Sequence, residues 1–259
     1  RFDSLRPRLL YRMEMTTMKY LSVDADAKTI KGKKKGYITG ILFLAPHTLS
    51  GYNLCPEASE GCSKACLYTA GRGKMLMVQR ARIRKTIEFM ENRPEFLNGL
   101  RDDIKKLCLK ANRKGMLPAV RLNGTSDFPW EKTGIIDEFP EVQFYDYTKI
   151  LKRAYKAGQK GPFKDRRWPK NYHLTFSRSE TNMIECWSAI SAGCNVSFVF
   201  KTVPSKWTWG SRTAWDHIPI KYDVVNGDEH DLRFLDPTPC IVGLKAKGEA
   251  LEDTSGFVI

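Results

Sequence analysis

Residues 37–66 read YITGILFLAPHTLSGYNLCPEASEGCSKAC. The fold follows from how this stretch divides. Tyr37 to Ala45 is a run of apolar and β-branched residues of strand length, bounded by Gly36 and Pro46, and it predicts a buried strand. After Pro46 the composition turns to loop formers: Ser50, Gly51, Asn53, Pro56 and Gly61. Three cysteines, Cys55, Cys62 and Cys66, stand in that loop.

Outward from this strand and loop, two helices are predicted, from Met75 to Glu91 and from Pro94 to about Asn112. The second places Phe96, Leu97, Leu100, Ile104, Leu107 and Cys108 on one face. Strands follow at Pro118–Leu122, Val142–Tyr147, Tyr172–Phe176 and Cys194–Phe200, with helices at Lys149–Ala157 and Glu180–Ala192 between them. Two short strands close the chain, near Val224 and Ile241. Strands alternating with helices argue an α/β fold with a mostly parallel sheet, open or wound into a partial (β/α) barrel-like form. Residues 1–36 are basic and weakly periodic, and read as an N-terminal extension. Residues 37–259 read as a single α/β domain.

Polar residues stand just after the strands: Cys55 after the first, Asn123, Ser126 and Asp127 after the second, Lys149 after the third, Ser177, Arg178 and Ser179 after the fourth, and Lys201 after the fifth. In parallel sheets and barrels, sites form at the carboxyl ends of the strands. The pattern therefore predicts these groups on one face, around the cysteine loop.

Thiolates are soft anionic ligands for iron–sulfur clusters and zinc. A loop carrying proline and glycine can curl so that Cys55, Cys62 and Cys66 aim inward, with Lys64 beside them to hold thiolate charge. A structural zinc needs a fourth ligand. No CxxC pair or HxxxH follows, and His47, His173 and His217 are the histidine candidates. A [4Fe-4S] cluster with three protein thiolates and one open iron is the simpler fit, the open iron taking Asp127, a small molecule or solvent. Helix capping is the other reading of Asp127. Cys108, Cys186, Cys194 and Cys240 lie in apolar settings and read as core.

Lys and Arg total 43 against 29 Asp and Glu, a net charge of +14. That surplus favours polyanions, nucleic acid first. It concentrates in Lys149, Lys152, Arg153, Lys156, Lys164, Arg166, Arg167 and Lys170, with Trp168 as a base-stacking candidate. A second basic and aromatic run spans Lys201 to Trp215. Gly71-Arg72-Gly73 offers backbone N–H groups to an anion. Asn226 to Asp231 reads as a hairpin turn, with divalent-cation binding as the alternative. No apolar run approaches the roughly 18 residues of a membrane span, and no signal-type segment opens the sequence. Together with seven cysteines, an odd number, this leads us to expect a reduced, cytoplasmic setting without a membrane partner. Oligomeric state is left open.

Three cysteines after the first strand of a partial α/β barrel resemble the radical S-adenosylmethionine enzymes. That family's usual spacing is CxxxCxxC. This chain has Cx6Cx3C, and Arg121 to Asp127 stands where the family has a glycine-rich segment. Closer is the resemblance to a family of bacteriophage proteins. It is carried by Leu44-Ala-Pro46 with Ser50 to Pro56, Cys62 to Gly73, Asn123 to Glu131, Phe144 to Lys149, and His173 to Ser177. It implies a phage origin and a cluster, and leaves the reaction open. Three functions follow as expectations: a cluster protein that binds or acts on DNA or RNA, a radical S-adenosylmethionine-like enzyme, or a zinc-stapled nucleic-acid-binding module without catalysis.

Overall fold

The computed structural model describes residues 18–24, 27–158, 165, 167–209 and 220–259. Nine strands lie in one sheet: β1 (Leu21–Val23), β2 (Tyr37–Leu42), β3 (Leu117–Arg121), β4 (Gln143–Thr148), β5 (Tyr172–Ser177), β6 (Asn195–Phe200), β7 (Lys206–Trp209), β8 (Ile220–Asn226) and β9 (Ile241–Lys245). Their order is β1-β2-β3-β4-β5-β6-β9-β8-β7. The edge strands β1 and β7 pair antiparallel, and every other pairing is parallel. The order is linear with two free edges, so the sheet stays open and the barrel expectation is corrected.

The described helices are α1 (Ala27–Gly32), α2 (Glu60–Lys64), α3 (Leu76–Glu91), α4 (Arg93–Arg113), α5 (Leu151–Ala157) and α6 (Met183–Ser191). Successive strands from β2 to β6 are neighbours. Right-handed crossovers repeated in one direction put their helices on one face. Side chains alternate accordingly. Ile38 and Leu42 of β2, Val120 of β3 and Phe144 of β4 share a core with Leu100, Ile104 and Leu107 of α4. Phe176, Val196 and Phe198 pack with Cys186, Ala189 and Ile190 of α6 and Ala154 of α5. Each of these large side chains contributes about 2 kcal/mol by leaving water. Gly40 lets α4 approach β2: a Cβ there would sit 3.1 Å from Leu107 and 3.2 Å from Leu21.

The opposite face is filled differently. Parallel pairing of β8 with β9 rules out the hairpin expected at Asn226-Gly227. The chain between them crosses the sheet instead, and Leu232 and Phe234 pack on Ala119, Tyr145 and Tyr37. This covers the amino-terminal half of that face and leaves the carboxyl-terminal half open. No described helix is long and apolar enough to cross a membrane.

Residues 18–24 and 27–36 belong to the fold rather than to a basic extension; residues 1–17, 25 and 26 lie outside the described residues. Leu21 pairs with Leu42 across β1 and β2. Tyr20 and Leu21 are buried, and the Tyr20 ring lies 4.2 Å from that of Phe96. The anchor is Asp103, an acid on the buried stripe of α4. Its carboxylate accepts the backbone N–H groups of Lys19 (3.2 Å), Tyr20 (2.6 Å) and Leu21 (3.0 Å). Asp103→Ala strands these buried donors, and a loss of about 3 kcal/mol is expected in urea denaturation. Amides of residues 19–23 should lose hydrogen-exchange protection first; a variant within about 0.5 kcal/mol of the parent, the usual range of surface changes, would refute the anchor.

Candidate metal centre

The cysteine loop is tied down at several points. The loop after β3 crosses over β2, where Gly124 donates to Leu42 O (3.0 Å). A Cβ on Gly124 would lie 2.6 Å from the Phe43 ring. Thr125 Oγ1 donates to Leu44 O (2.5 Å), and Asp127 N–H to Leu54 O (2.8 Å). Cys55 N–H is held by Asn53 Oδ1 (2.9 Å). Around Cys62 the clamp is Glu180. Its carboxylate accepts Ser59 Oγ and Gly61 N–H, each at 2.7 Å. Ser59 in turn caps α2 by accepting Cys62 N–H (3.2 Å). Gly61 leaves room for this clamp, since a Cβ there would come 2.9 Å from the Glu180 carboxylate.

Cys55, Cys62 and Cys66 all line one cavity of about 1130 Å³ at the carboxyl edge of the sheet. Asn123, Ser126, Asp127, Lys149 and Ser177 line it too. Of the other strand-end groups, Arg178 turns away to donate to Phe257 O (2.7 Å), Ser179 is buried and Lys201 is exposed. Asp127 has both oxygens engaged: Oδ1 accepts from Arg153 Nη1 (2.7 Å), Oδ2 from Lys149 N–H (2.8 Å) and Thr148 Oγ1 (3.2 Å). It secures the end of β4. Lys149 Nζ donates to Ser177 Oγ (3.0 Å) and lies 5.6 Å from the centre of the Phe257 ring.

Burial pushes the Cys55 thiol up to about 12 and raises that of Cys66 as well. Such thiols stay protonated until a bound cation takes the proton's place. Lys64 does not hold thiolate charge, because its ammonium pairs with Glu60 at 2.6 Å. Among the described residues, no three His, Cys, Asp or Glu side chains converge tightly enough to hold a single metal ion. Cys108 is half-buried, and Cys186, Cys194 and Cys240 are buried; none of these lines the cavity.

Residues 19–259 match the family described as Gene product 88. The chain belongs to the Gene product 88 family. Membership agrees with the likeness to phage-type proteins that the sequence carries. Searches of curated proteins and of solved structures returned no match.

In this Gene product 88 chain the basic stretch is not one surface. Arg153 is buried and forms a bidentate pair with Glu131 (3.0 and 2.9 Å) beside its bond to Asp127. Trp168 stacks on Tyr172 at 5.4 Å and donates to Tyr172 O (2.9 Å), so one face of its indole is taken up by packing. Arg153 is corrected as a nucleic-acid contact, while Trp168 is half-buried. Lys152, Arg167 and Lys170 are exposed, and Lys156 pairs with Asp165 at 3.6 Å. Lys164 and Arg166 lie outside the described residues, as do residues 210–219 of the second basic run. In the Gly71–Gly73 turn, Gly73 N–H bonds Ala70 O (2.9 Å), so it is not offered to an anion. Two of the three acids of 226–231 meet cations: Asp228 pairs with Lys28 (2.9 Å) and Lys247 (2.7 Å), and Asp231 with Arg121 (3.0 Å).

Sequence reasoning passed over three residues that shape the site: Glu180, Arg82 and the buried Asp146. Asp146 accepts Asn123 N–H (2.7 Å) and the Tyr172 hydroxyl (2.9 Å). Asn123 Oδ1 then gathers Ser126 Oγ, Phe128 N–H and Trp130 Nε1 within 3.1 Å. Only the placement of Asn-Gly after a strand signalled this hub.

Glu180→Ala should release α2 while leaving the sheet intact. We expect the amides of residues 60–65 to lose hydrogen-exchange protection with little change in the far-UV spectrum; undiminished protection there would refute the clamp. Burial pushes the Asp146 carboxyl up to about 7, against about 4 in an unfolded chain. The folded state therefore holds this proton more tightly, and its contribution to stability declines as pH rises from about 4 to 7. Asp146→Asn should flatten that part of the stability profile in thermal melts across the range; an unchanged slope would show that another group sets it.

Proposed function

We propose that this chain is a [4Fe-4S] enzyme of the radical S-adenosylmethionine type that acts on nucleic acid or its nucleotides. Cys55, Cys62 and Cys66, which line the cavity, would hold the cluster. The observation that carries this is the shared cavity: three thiols from one loop opening onto a space of about 1130 Å³, room enough for a cofactor and part of a substrate. A tetrahedral zinc draws four donors to one point. A cluster spreads its thiolates over separate irons, which suits three thiols that share one cavity wall. The substrate class is supported by the net charge of +14.

When bound, a reduced cluster with an open iron supplies an electron to a small molecule held at that iron. The protein's own groups do the rest. Phe257, Ala65 and Ala250 line the wall behind the cysteine loop and keep water from it. Lys149, held by Ser177, carries positive charge towards Cys66, where it offsets thiolate charge or orients a carboxylate. Asp127 keeps Lys149 at the cavity edge through the backbone bond.

Protein purified without oxygen should be brown, with about four irons per chain as such a cluster requires, and Cys62→Ala should be colourless. Adding S-adenosylmethionine to the reduced protein should change its electron paramagnetic resonance spectrum. An unchanged spectrum would remove the cofactor from the reading, and a colourless parent with stoichiometric zinc would remove the cluster.

A further inference from the structure

Among the described residues, the cations that line the cavity are half-buried or exposed except one, Arg82 of α3, which is buried. Arg121 is matched by both oxygens of Asp231 (3.0 and 3.3 Å). Lys28 and Lys247 share Asp228, and Lys149 is tied to Ser177. Arg82 is different. It is 8% exposed, it lines the cavity, and its Nε and Nη1 have no hydrogen-bond partner. Its guanidinium lies 4.8 Å from the Phe43 ring centre and 5.6 Å from that of Tyr68. Two aromatic rings thus fix its position without satisfying its donors.

Lys85, one turn on, lines the same cavity. Its ammonium donates to Tyr20 O at 3.3 Å. The acid that acts on it, Asp103, is committed to three backbone N–H groups. Burial, with Arg82 adding like-charge repulsion, pulls this lysine down to about 8. A buried guanidinium with a half-buried ammonium beside it, and no carboxylate committed to either, favours an anion that joins them. Two cations with several N–H donors match a phosphate, whose oxygens take an arginine fork and a lysine together. The wall around them is apolar, with Ile41, Phe43, Val78 and Ala81, which suits a base and sugar beside the phosphate.

We propose that Arg82 and Lys85 form a phosphate-recognition site that holds the substrate of this cavity by a nucleotide phosphate. The inference deepens the reading above and rests on it for the use of the cavity, yet binding can be measured without turnover.

The test is equilibrium binding, by calorimetry or fluorescence anisotropy, of 5′-mononucleotides and of a single-stranded oligonucleotide to the full chain. Parent, Arg82→Gln, Lys85→Gln and Arg84→Gln are compared. Arg84 is exposed on the same helix and controls for lost charge. At least a tenfold loss of affinity is expected for Arg82→Gln and several-fold for Lys85→Gln, with Arg84→Gln within twofold of the parent. Loss confined to the oligonucleotide assigns the phosphate to a nucleic-acid strand; loss with mononucleotides assigns it to free nucleotide. Equal weakening by all three variants would reduce the effect to general charge and overturn the site. So would unchanged nucleotide affinity in Arg82→Gln with an altered cluster spectrum, which would make Arg82 a counter-charge for Cys66. Lys85→Gln guards against misfolding of the Arg82 variant. Cys62→Ala should keep nucleotide binding, and a parent chain that carries no cluster yet shows the Arg82 effect would sink the enzyme reading and leave this one standing.

Discussion

A right-handed crossover between parallel strands, repeated without reversal from β2 to β6, puts the crossover helices on one face of the sheet. The rest of the molecule answers to that constraint. One face buries Leu, Ile, Val and Phe against α4, α5 and α6. The other face, which α4, α5 and α6 do not cover, must be filled by something else. The chain between β8 and β9 fills the amino-terminal half with Leu232 and Phe234. The cysteine loop, α3 and residues 246–258 wall the remainder. The cavity is thus what remains when a one-sided sheet is covered on its second face by irregular chain.

Irregular chain has to satisfy its own backbone, and the buried carboxylates of this protein do that work. Asp103 takes three N–H groups ahead of and within β1. Asp146 fixes Asn123, and Asp127 fixes the end of β4. Glu180 fixes the start of α2. A carboxylate accepting several N–H bonds holds a loop in one geometry more firmly than apolar packing alone. Three of these four lie at the carboxyl edge of the sheet, so the cavity wall is rigid where the cysteines are.

The regular part of this was legible in the sequence. The apolar run at Tyr37–Ala45, the helical stripe at Phe96–Leu107 and the order of the strands marked the sheet, because periodicity records burial directly. The grouping of Cys55, Asn123, Asp127, Lys149 and Ser177 was legible too, since parallel strands carry their following residues to one edge. What failed was direction. Arg153 and Lys152 are adjacent in a basic stretch, yet one points into the fold and the other into solvent; charge density carries no orientation. Residues 18–36 looked loose because β1 is three residues long and its anchor, Asp103, is more than eighty positions away. Glu180 and Arg82 could not be picked out for the same reason: each matters through a partner, or the lack of one, on a distant element.

The contrast between Arg121 and Arg82 shows why the lack of a partner carries meaning. Both line the same cavity, and a folded chain meets the cost of burying a guanidinium by pairing it. At Arg121 the charge is matched: Nη1 donates to both oxygens of Asp231, itself held by the Tyr145 hydroxyl (3.0 Å), so that arginine is part of the fold although its Nε has no partner either. At Arg82 the fold supplies aromatic faces and no anion. Phe89, two turns further along α3, is buried against Phe96, Phe128 and Trp130. The helix therefore cannot turn to bring Arg82 to water without dismantling the core. The charge is held inside by packing elsewhere, beside Cys66, and a ligand's anion is the partner that the geometry leaves room for.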